Sequence, residues 1–255
     1  VYHSLTISDF SQNWTDTGLI TANDDWSAVP SIEGYRGDSL TTATGVDPQT
    51  ILAADTPGVI SVFANQTAAT SISGGVGEFE LTNPVVAMQG SGTADAPYLQ
   101  VYLDTTGRNN ISVSYLVRDI DGSADNALQQ VALQYRVGTT GAFTNIPEAF
   151  VTDATTGGTA TQTTSVSVTL PFAAENQSQL QLRIMTANAV GSDEWVGIDD
   201  ILVTSDGGAP TPALVIAQSG GTTKVTEGVS SDSFTVALNQ NPAAERRSGR
   251  GTAIE

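Results

Sequence analysis

Apolar and polar positions alternate along most of the chain. In residues 98–103, Leu99, Val101 and Leu103 fall on one side. In residues 111–117, Ile111, Val113, Tyr115 and Val117 share a side, with Ser112 and Ser114 opposite. Val131, Leu133, Tyr135 and Val137 repeat the pattern with Gln134 and Arg136 outward, and so do Val166, Val168 and Leu170, then Leu180, Leu182 and Ile184. A period of two is that of a strand, whose successive side chains point to opposite faces. Each run therefore predicts a strand with one buried and one polar face. Turn residues separate the runs at Asn83-Pro84, Thr106-Gly107, Asp121-Gly122, Thr140-Gly141 and Gly157-Gly158. No helical stripe of ten residues or more interrupts them. The pattern predicts an all-β fold, an antiparallel β-sandwich or jelly roll whose two sheets bury the apolar faces against each other.

The spacing also predicts an internal boundary. Residues 1–206 carry the sandwich pattern, and residues 207–212 form a Gly/Pro linker stiffened by Pro210 and Pro212. Residues 213–242 add two strand patterns, 213–218 and 233–238, connected through Gly220-Gly221 and Glu227-Gly228. In residues 243–255 the alternation stops and Arg246, Arg247 and Arg250 cluster, which predicts a disordered tail.

Composition narrows the chemistry. The chain has 255 residues, 27 of them acidic and 9 basic, for a net charge of −18. So few cations argue against nucleic-acid binding, which needs Lys and Arg on phosphates, and favour a surface that collects cations. The absence of Cys removes disulfides and thiolate chemistry. His3 is the one histidine, so a Ser-His-Asp triad has no well-placed base. Acidic pairs are inevitable among 27 carboxylates, and spacing selects none as a glycosidase pair. The expectation is a chain without catalysis. No apolar run approaches the ~18 residues that span a bilayer as a helix, so membrane insertion is not expected. No charged segment followed by an apolar one opens the chain, so no leader peptide is expected within it. Abundant Thr, Ser, Asn, Asp and Gly beside a single Lys (Lys224) is the usual composition of secreted and cell-surface bacterial β proteins.

Several runs carry a family likeness. They are Ser8-Asp9-Phe10, Asn23-Asp24-Asp25-Trp26, Gly34-Tyr35-Arg36-Gly37-Asp38, and a closing run from Trp195 through Gly197-Ile198-Asp199-Asp200-Ile201 to Val203. The closing run resembles the last strand of extracellular jelly-roll modules related to carbohydrate-binding and MAM-like domains. Together with residues 119–125 and Gln134-Tyr135-Arg136-Val137-Gly138, it makes residues 8–204 similar to a domain near the N-terminus of large secreted bacterial proteins. Some of those proteins carry an extracellular nuclease or phosphatase domain further on. The likeness implies secretion and a scaffolding role, with any catalysis elsewhere. Residues 213–242 resemble the opening third of a Calx-beta module, through residues 214–217, Val225-Thr226-Glu227-Gly228 and residues 234–238. Such Ig-like modules commonly bind calcium, and the Glu of the Glu-Gly turn contributes.

Candidate sites follow. Calcium takes six to eight oxygen ligands. Asp119 and Asp121 fall on one side of a strand end, Gly122 permits a tight turn, and Asp125 lies in the loop beyond. The run is not an EF-hand, since Ala124 and Gln130 stand where Gly and Glu are required; the alternative is an Asx-rich turn. Asp199 and Asp200 are adjacent and so face opposite sides of their strand. The jelly-roll likeness implies Asp9 with Asp199 or Asp200 around a structural calcium; the alternative is a hydrogen-bonded Asp without metal. Asn23, Asp24 and Asp25 are expected to cap a turn. Trp14 and Trp26, with Trp195, are a candidate sugar-stacking platform, or else core residues. Arg36-Gly37-Asp38 is expected to be a structural turn closed by an ion pair. The functional expectation is a non-catalytic, secreted or cell-surface structural or adhesive module stabilised by calcium, self-associating by strand addition at residues 213–242. The alternatives are a glycan-binding module, or an accessory fragment of a secreted nuclease or phosphatase.

Overall fold

The computed structural model describes residues 1–70, 73–123, 127–155, 158–207, 214–218 and 234–238. The period-two segments form strands. In chain order these are β1 (His3–Ser4), β2 (Phe10–Gln12), β3 (Ile32–Tyr35), β4 (Phe63–Gln66) and β5 (Gly75–Phe79). There follow β6 (Val85–Gln89), β7 (Tyr98–Asp104), β8 (Arg108–Asp119), β9 (Ala132–Val137) and β10 (Thr144–Asn145). The last are β11 (Thr163–Thr169), β12 (Leu180–Met185), β13 (Val196–Gly207), β14 (Leu214–Gln218) and β15 (Phe234–Leu238). Among the described residues the helical turns are short 3₁₀ segments, such as Pro48–Thr50, whose first amide is capped by Asp47.

Two sheets make the sandwich. One is six-stranded, in the order β1-β7-β12-β9-β10 with β3 also on β7; the other is seven-stranded, in the order β11-β8-β13-β6-β5-β4 with β2 also on β13. Pairing is antiparallel except at β1/β7 and β4/β5, which are parallel. The predicted inner faces meet as one core: Leu99, Val101 and Leu103 of β7 and Leu180, Leu182 and Ile184 of β12 lie in one cluster with Ile111, Val113, Tyr115 and Val117 of β8. Val137 departs from the expectation: it ends β9 and is 43% exposed.

The larger departure is on the polar faces. The outer face of the six-stranded sheet was expected to meet solvent, yet Gln134 and Arg183 are fully buried and Arg136 nearly so. Residues 36–58 cross over this face. Their path is set where Gly37 (φ 64°) runs against the Ala96 carbonyl, 1.9 Å from where a Cβ would stand. Ile51 then packs with Tyr98, Ala132 and Met185 in a second apolar cluster on the outside of the sheet. Phe143 joins the cover, its amide donating to the Leu52 carbonyl at 2.8 Å. The outer face of the seven-stranded sheet is covered in its own way by Trp195, edge-on to Phe79 at 4.9 Å, with Val85, Ala87 and Ile120.

The chain divides into two compact units, Val1–Ala209 and Pro210–Glu255. In the second, β14 and β15 pair antiparallel with Leu214 opposite Leu238 and Ile216 opposite Val236. Residues 208–212 of the expected linker, residues 213, 219–233 and 239–242, and the expected tail lie outside the described residues.

Trp14 and Trp26 are core residues rather than an exposed platform, with only an edge of Trp26 reaching a surface hollow. They are 2% and 5% exposed, meet edge to face at 6.4 Å, and donate from their indole nitrogens to the carbonyls of Ile198 (2.8 Å) and Ser61 (3.2 Å). Room for Trp26 comes from Gly34, where a Cβ would stand 2.4 Å from Trp26 Cζ2. Replacing Trp14 by Ala is expected to cost about 3–5 kcal/mol in denaturant unfolding, the usual loss for a large core aromatic. A cost below about 0.5 kcal/mol, as at a surface position, would contradict this placement.

Candidate functional site

The outer face of the six-stranded sheet is built from two copies of one short pattern, Gln134-Tyr135-Arg136 on β9 and Gln181-Leu182-Arg183 on β12. Antiparallel register sets Gln181 beside Arg136 and Arg183 beside Gln134. Each guanidinium therefore reaches the amide oxygen of the other strand's Gln. Arg136 Nε donates to Gln181 Oε1 at 3.0 Å and Arg183 Nε to Gln134 Oε1 at 2.8 Å, with each Nη2 on the same oxygen. Arg183 also donates to the carbonyls of Ala53 (2.9 Å) and Ile51 (2.6 Å), while Gln134 Nε2 donates to that of Pro48 (2.8 Å). Both guanidinium carbons lie over the Phe143 ring, at 4.3 Å for Arg136 and 3.9 Å for Arg183. Burial lowers the pKa of both, bringing that of Arg183 down to about 10, where the neighbouring Arg136 acts in the same direction.

Tyrosines line the other side. Register places Tyr35 of β3 beside Tyr98 of β7, and their rings stack at 4.9 Å and 14°. Glu33 Oε2 accepts from the hydroxyls of Tyr35 (2.5 Å) and Tyr102 (2.6 Å). Asp55 accepts from Ser39 Oγ (2.9 Å) and the Tyr98 hydroxyl (3.2 Å). Gln181 Nε2 donates to the Tyr2 hydroxyl at 2.6 Å, and the Tyr2 ring meets Tyr102 edge-on at 5.5 Å. Burial, with the Glu33 hydrogen bond next in weight, pushes the Tyr35 phenol up to about 12. The phenols of Tyr98 and Tyr102 are raised further by burial, and burial raises the Asp55 carboxyl.

These groups enclose a cleft of about 350 Å³ with Tyr35, Tyr98, Gln100, Arg136 and Gln181 among its walls. A second hollow of about 760 Å³ runs beside it, walled by Tyr2, Trp26, Pro30 and Glu33. Ile60 and Tyr102 border both, so the two hollows adjoin as a groove in two parts. Its walls alternate ring surface with amide and guanidinium donors and carboxylate acceptors, the lining that suits a ligand with apolar faces and many hydroxyls. Tyrosine supplies both in one side chain.

The acids singled out in the sequence lie elsewhere. Asp199 is buried on the outer face of the seven-stranded sheet: Oδ2 accepts from Arg118 Nη1 (2.7 Å) and Asn83 Nδ2 (3.0 Å), and Oδ1 from the Asp200 amide (2.8 Å). A guanidinium already supplies the positive charge that calcium was expected to bring. Asp200 is exposed, at φ 48° in an irregularity of β13. Asp9 is exposed and precedes Phe10, which pairs with Val203, four positions along β13 from Asp199. That is on the order of 13 Å at strand spacing, too far to share an ion whose ligands sit at ~2.4 Å. Asp119 Oδ1 accepts from the Asp121 amide (3.1 Å), and Asp121 Oδ1 from that of Ser123 (3.1 Å), forming successive Asx turns. Asp125 lies outside the described residues, among which no group of three or more His, Asp or Glu is placed to hold a metal. Asn23 and Asp24 accept from the amides of Ala64 and Val62, tying their turn to β4. Arg36 and Asp38 form an ion pair at 2.6 Å, which closes that tripeptide on itself.

No protein-family model matches the chain, and no curated protein matches its sequence. Among solved structures, a carbohydrate-binding module specific for non-crystalline cellulose is 15% identical over 56% of this chain and 86% of its own, with a TM-score of 0.36. The K3 cleaved adhesin domain of Lys-gingipain from Porphyromonas gingivalis is 13% identical over 78% of this chain and 100% of its own, with a TM-score of 0.40. A Stig cyclase from Fischerella sp. TAU is 15% identical over 79% of this chain and 100% of its own, also at 0.40. At these identities and scores none of the likenesses assigns a ligand or an activity to this chain.

The tyrosine network makes the fold sensitive to alkali. A phenol whose folded pKa is raised contributes stability that is fully present below its unfolded value of 10.0 and is lost as pH rises through the folded value. The melting temperature is expected to fall as pH rises from 10 towards 12 and beyond, with the phenolate absorbance of Tyr35, Tyr98 and Tyr102 developing late and together with unfolding. Ionisation of every tyrosine near pH 10 with no loss of stability would contradict the network.

Proposed function

We propose that the protein is a non-catalytic binding module whose groove over the six-stranded sheet holds a segment of polysaccharide, serving adhesion or cohesion at a cell surface or in an extracellular matrix. The observation that carries this reading is the pair of adjoining hollows that share Tyr102, in which ring surfaces stand beside Gln100, Gln181 and Glu33. Sugar rings present C–H faces to aromatics and hydroxyl edges to amides and carboxylates, and both kinds of partner are prepared here. A groove in two adjoining parts suits an internal stretch of chain better than a single terminal sugar. Of the carboxylates bordering it, Glu33 and Asp55 are engaged by tyrosine and serine hydroxyls and Asp24 and Asp25 by backbone amides, which suits a binding role over acid–base chemistry. The secreted setting is the one the composition favours.

Calorimetric titration with oligosaccharides of increasing length tests the proposal. Affinity is expected to rise through several sugar units and then level off, to fall at least tenfold in Tyr102→Ala, and to leave the oligosaccharide intact. Affinity is expected to be equal in calcium and in chelator, because the Asp119–Asp121 turn does not border the groove. Binding that is unaffected by Tyr102→Ala, or product formation on prolonged incubation, would overturn it.

A further inference from the structure

Five arginines fall among residues 1–207: Arg36, Arg108, Arg118, Arg136 and Arg183. Arg36 pairs with Asp38 and Arg118 with Asp199. Arg108 lies away from the groove and donates to Ser205 Oγ and the Ser205 carbonyl. Arg136 and Arg183 stand side by side without a carboxylate within ion-pair distance among the described residues. In a chain of net charge −18, leaving two neighbouring, largely buried cations uncompensated is costly, since a buried charge ordinarily needs a partner. Asp55 acts on Arg183 and partly offsets it. Arg136 remains, and it is the one that borders the cleft.

The partners of Arg136 satisfy donors without supplying charge. Its Nε and Nη2 reach the neutral oxygen of Gln181, and its Nη1 reaches the Gly141 carbonyl at 3.0 Å. A guanidinium has five N–H groups, so two remain on the Nη pair. Phe143 beneath the plane fixes its orientation. A positioned guanidinium with donors to spare, at the wall of a cleft, is suited to a planar or tetrahedral oxyanion.

From this geometry, and resting on the polysaccharide reading above, we propose that the groove selects an anionic polysaccharide, with a sugar carboxylate or sulfate ester seated on Arg136 and neutral sugar units running past Tyr102. The overall negative charge of the protein does not prevent this. Asp55 and Glu33 border the same groove and oppose an anion on their side, so the seat is confined to Arg136, while more distant charge is screened over ~8 Å at physiological ionic strength.

The test uses the intact protein and two sets of oligosaccharides. The neutral set contains cello-, xylo-, manno- and laminari-oligosaccharides; the anionic set contains oligogalacturonate, oligoalginate and sulfated galactan fragments. The expected result is binding confined to the anionic set. Reducing the carboxylates of the bound oligosaccharide to alcohols, or removing its sulfates, should weaken binding at least tenfold with the wild-type protein, a comparison that needs no variant. Arg136→Gln should lose the same factor on the anionic oligosaccharide, and Arg136→Lys should recover part of it. Which member binds separates carboxylate from sulfate. Neutral oligosaccharides binding as tightly as anionic ones would overturn the anionic assignment and leave the polysaccharide reading standing. Binding of neither set at millimolar concentration would overturn both.

Discussion

The structure turns on a guanidinium with no access to water. Arg183 sits in the middle of the six-stranded sheet, pointing away from the sandwich core, and is fully buried. Leaving such a group unsatisfied would cost several kcal/mol, so its surroundings must supply acceptors. They come from Gln134 on the next strand and from the Ile51 and Ala53 carbonyls of the covering segment. One charge thus ties a loop to a sheet. The same contacts hold Ile51 against Tyr98 and Met185, so the polar anchor and the apolar cover reinforce each other.

The groove follows from that tie. Segment 36–58 and Phe143 cover one part of the sheet's outer face, and the uncovered part becomes a floor of Tyr102, Gln100 and Gln181 with Arg136 and Tyr35 as flanks. Each of these side chains is held by another before any ligand arrives: Arg136 by Gln181 and Phe143, Tyr102 and Tyr35 by Glu33. A site whose side chains are already fixed loses less entropy when it binds. Tyr102, which borders both hollows, is where affinity for a hydroxylated ligand would arise.

Much of the sandwich was legible in the sequence, because period-two alternation records which side of a strand is buried. Leu99, Ile111, Leu133, Val166 and Leu182 all face the core as the pattern requires. The adjacency of Asp199 and Asp200 did not place them, because β13 is irregular there: Ile198 and Ile201 both face the core and Asp199 is buried on the outer face. What was not legible depended on contacts distant in sequence. Alternation identifies Gln134 and Arg136 as outward without telling that segment 36–58 returns to cover them, since that segment has no periodicity of its own. The partner of Asp199 is Arg118, 81 positions away, whereas the jelly-roll likeness pointed to a metal shared with Asp9. Trp14 and Trp26 lie in irregular segments where no pattern distinguishes a buried ring from an exposed one. One signal was available: the Gln-x-Arg pattern occurs on two outward faces, and polar side chains repeated in that way suggest a ladder between neighbouring strands.

The central claim is that ligand is held over the outer face of the six-stranded sheet. It is tested most directly by mapping the bound oligosaccharide onto the chain with nitrogen–proton correlation spectra. The side-chain amides of Gln100 and Gln181, the Arg136 Nε–H and the backbone amides of residues 33–35 and 98–102 should shift together in proportion to saturation. Shifts clustered instead on the outer face of the seven-stranded sheet around Arg118 and Asp199, or at the Asp119–Asp121 turn, with the groove unchanged, would contradict the account.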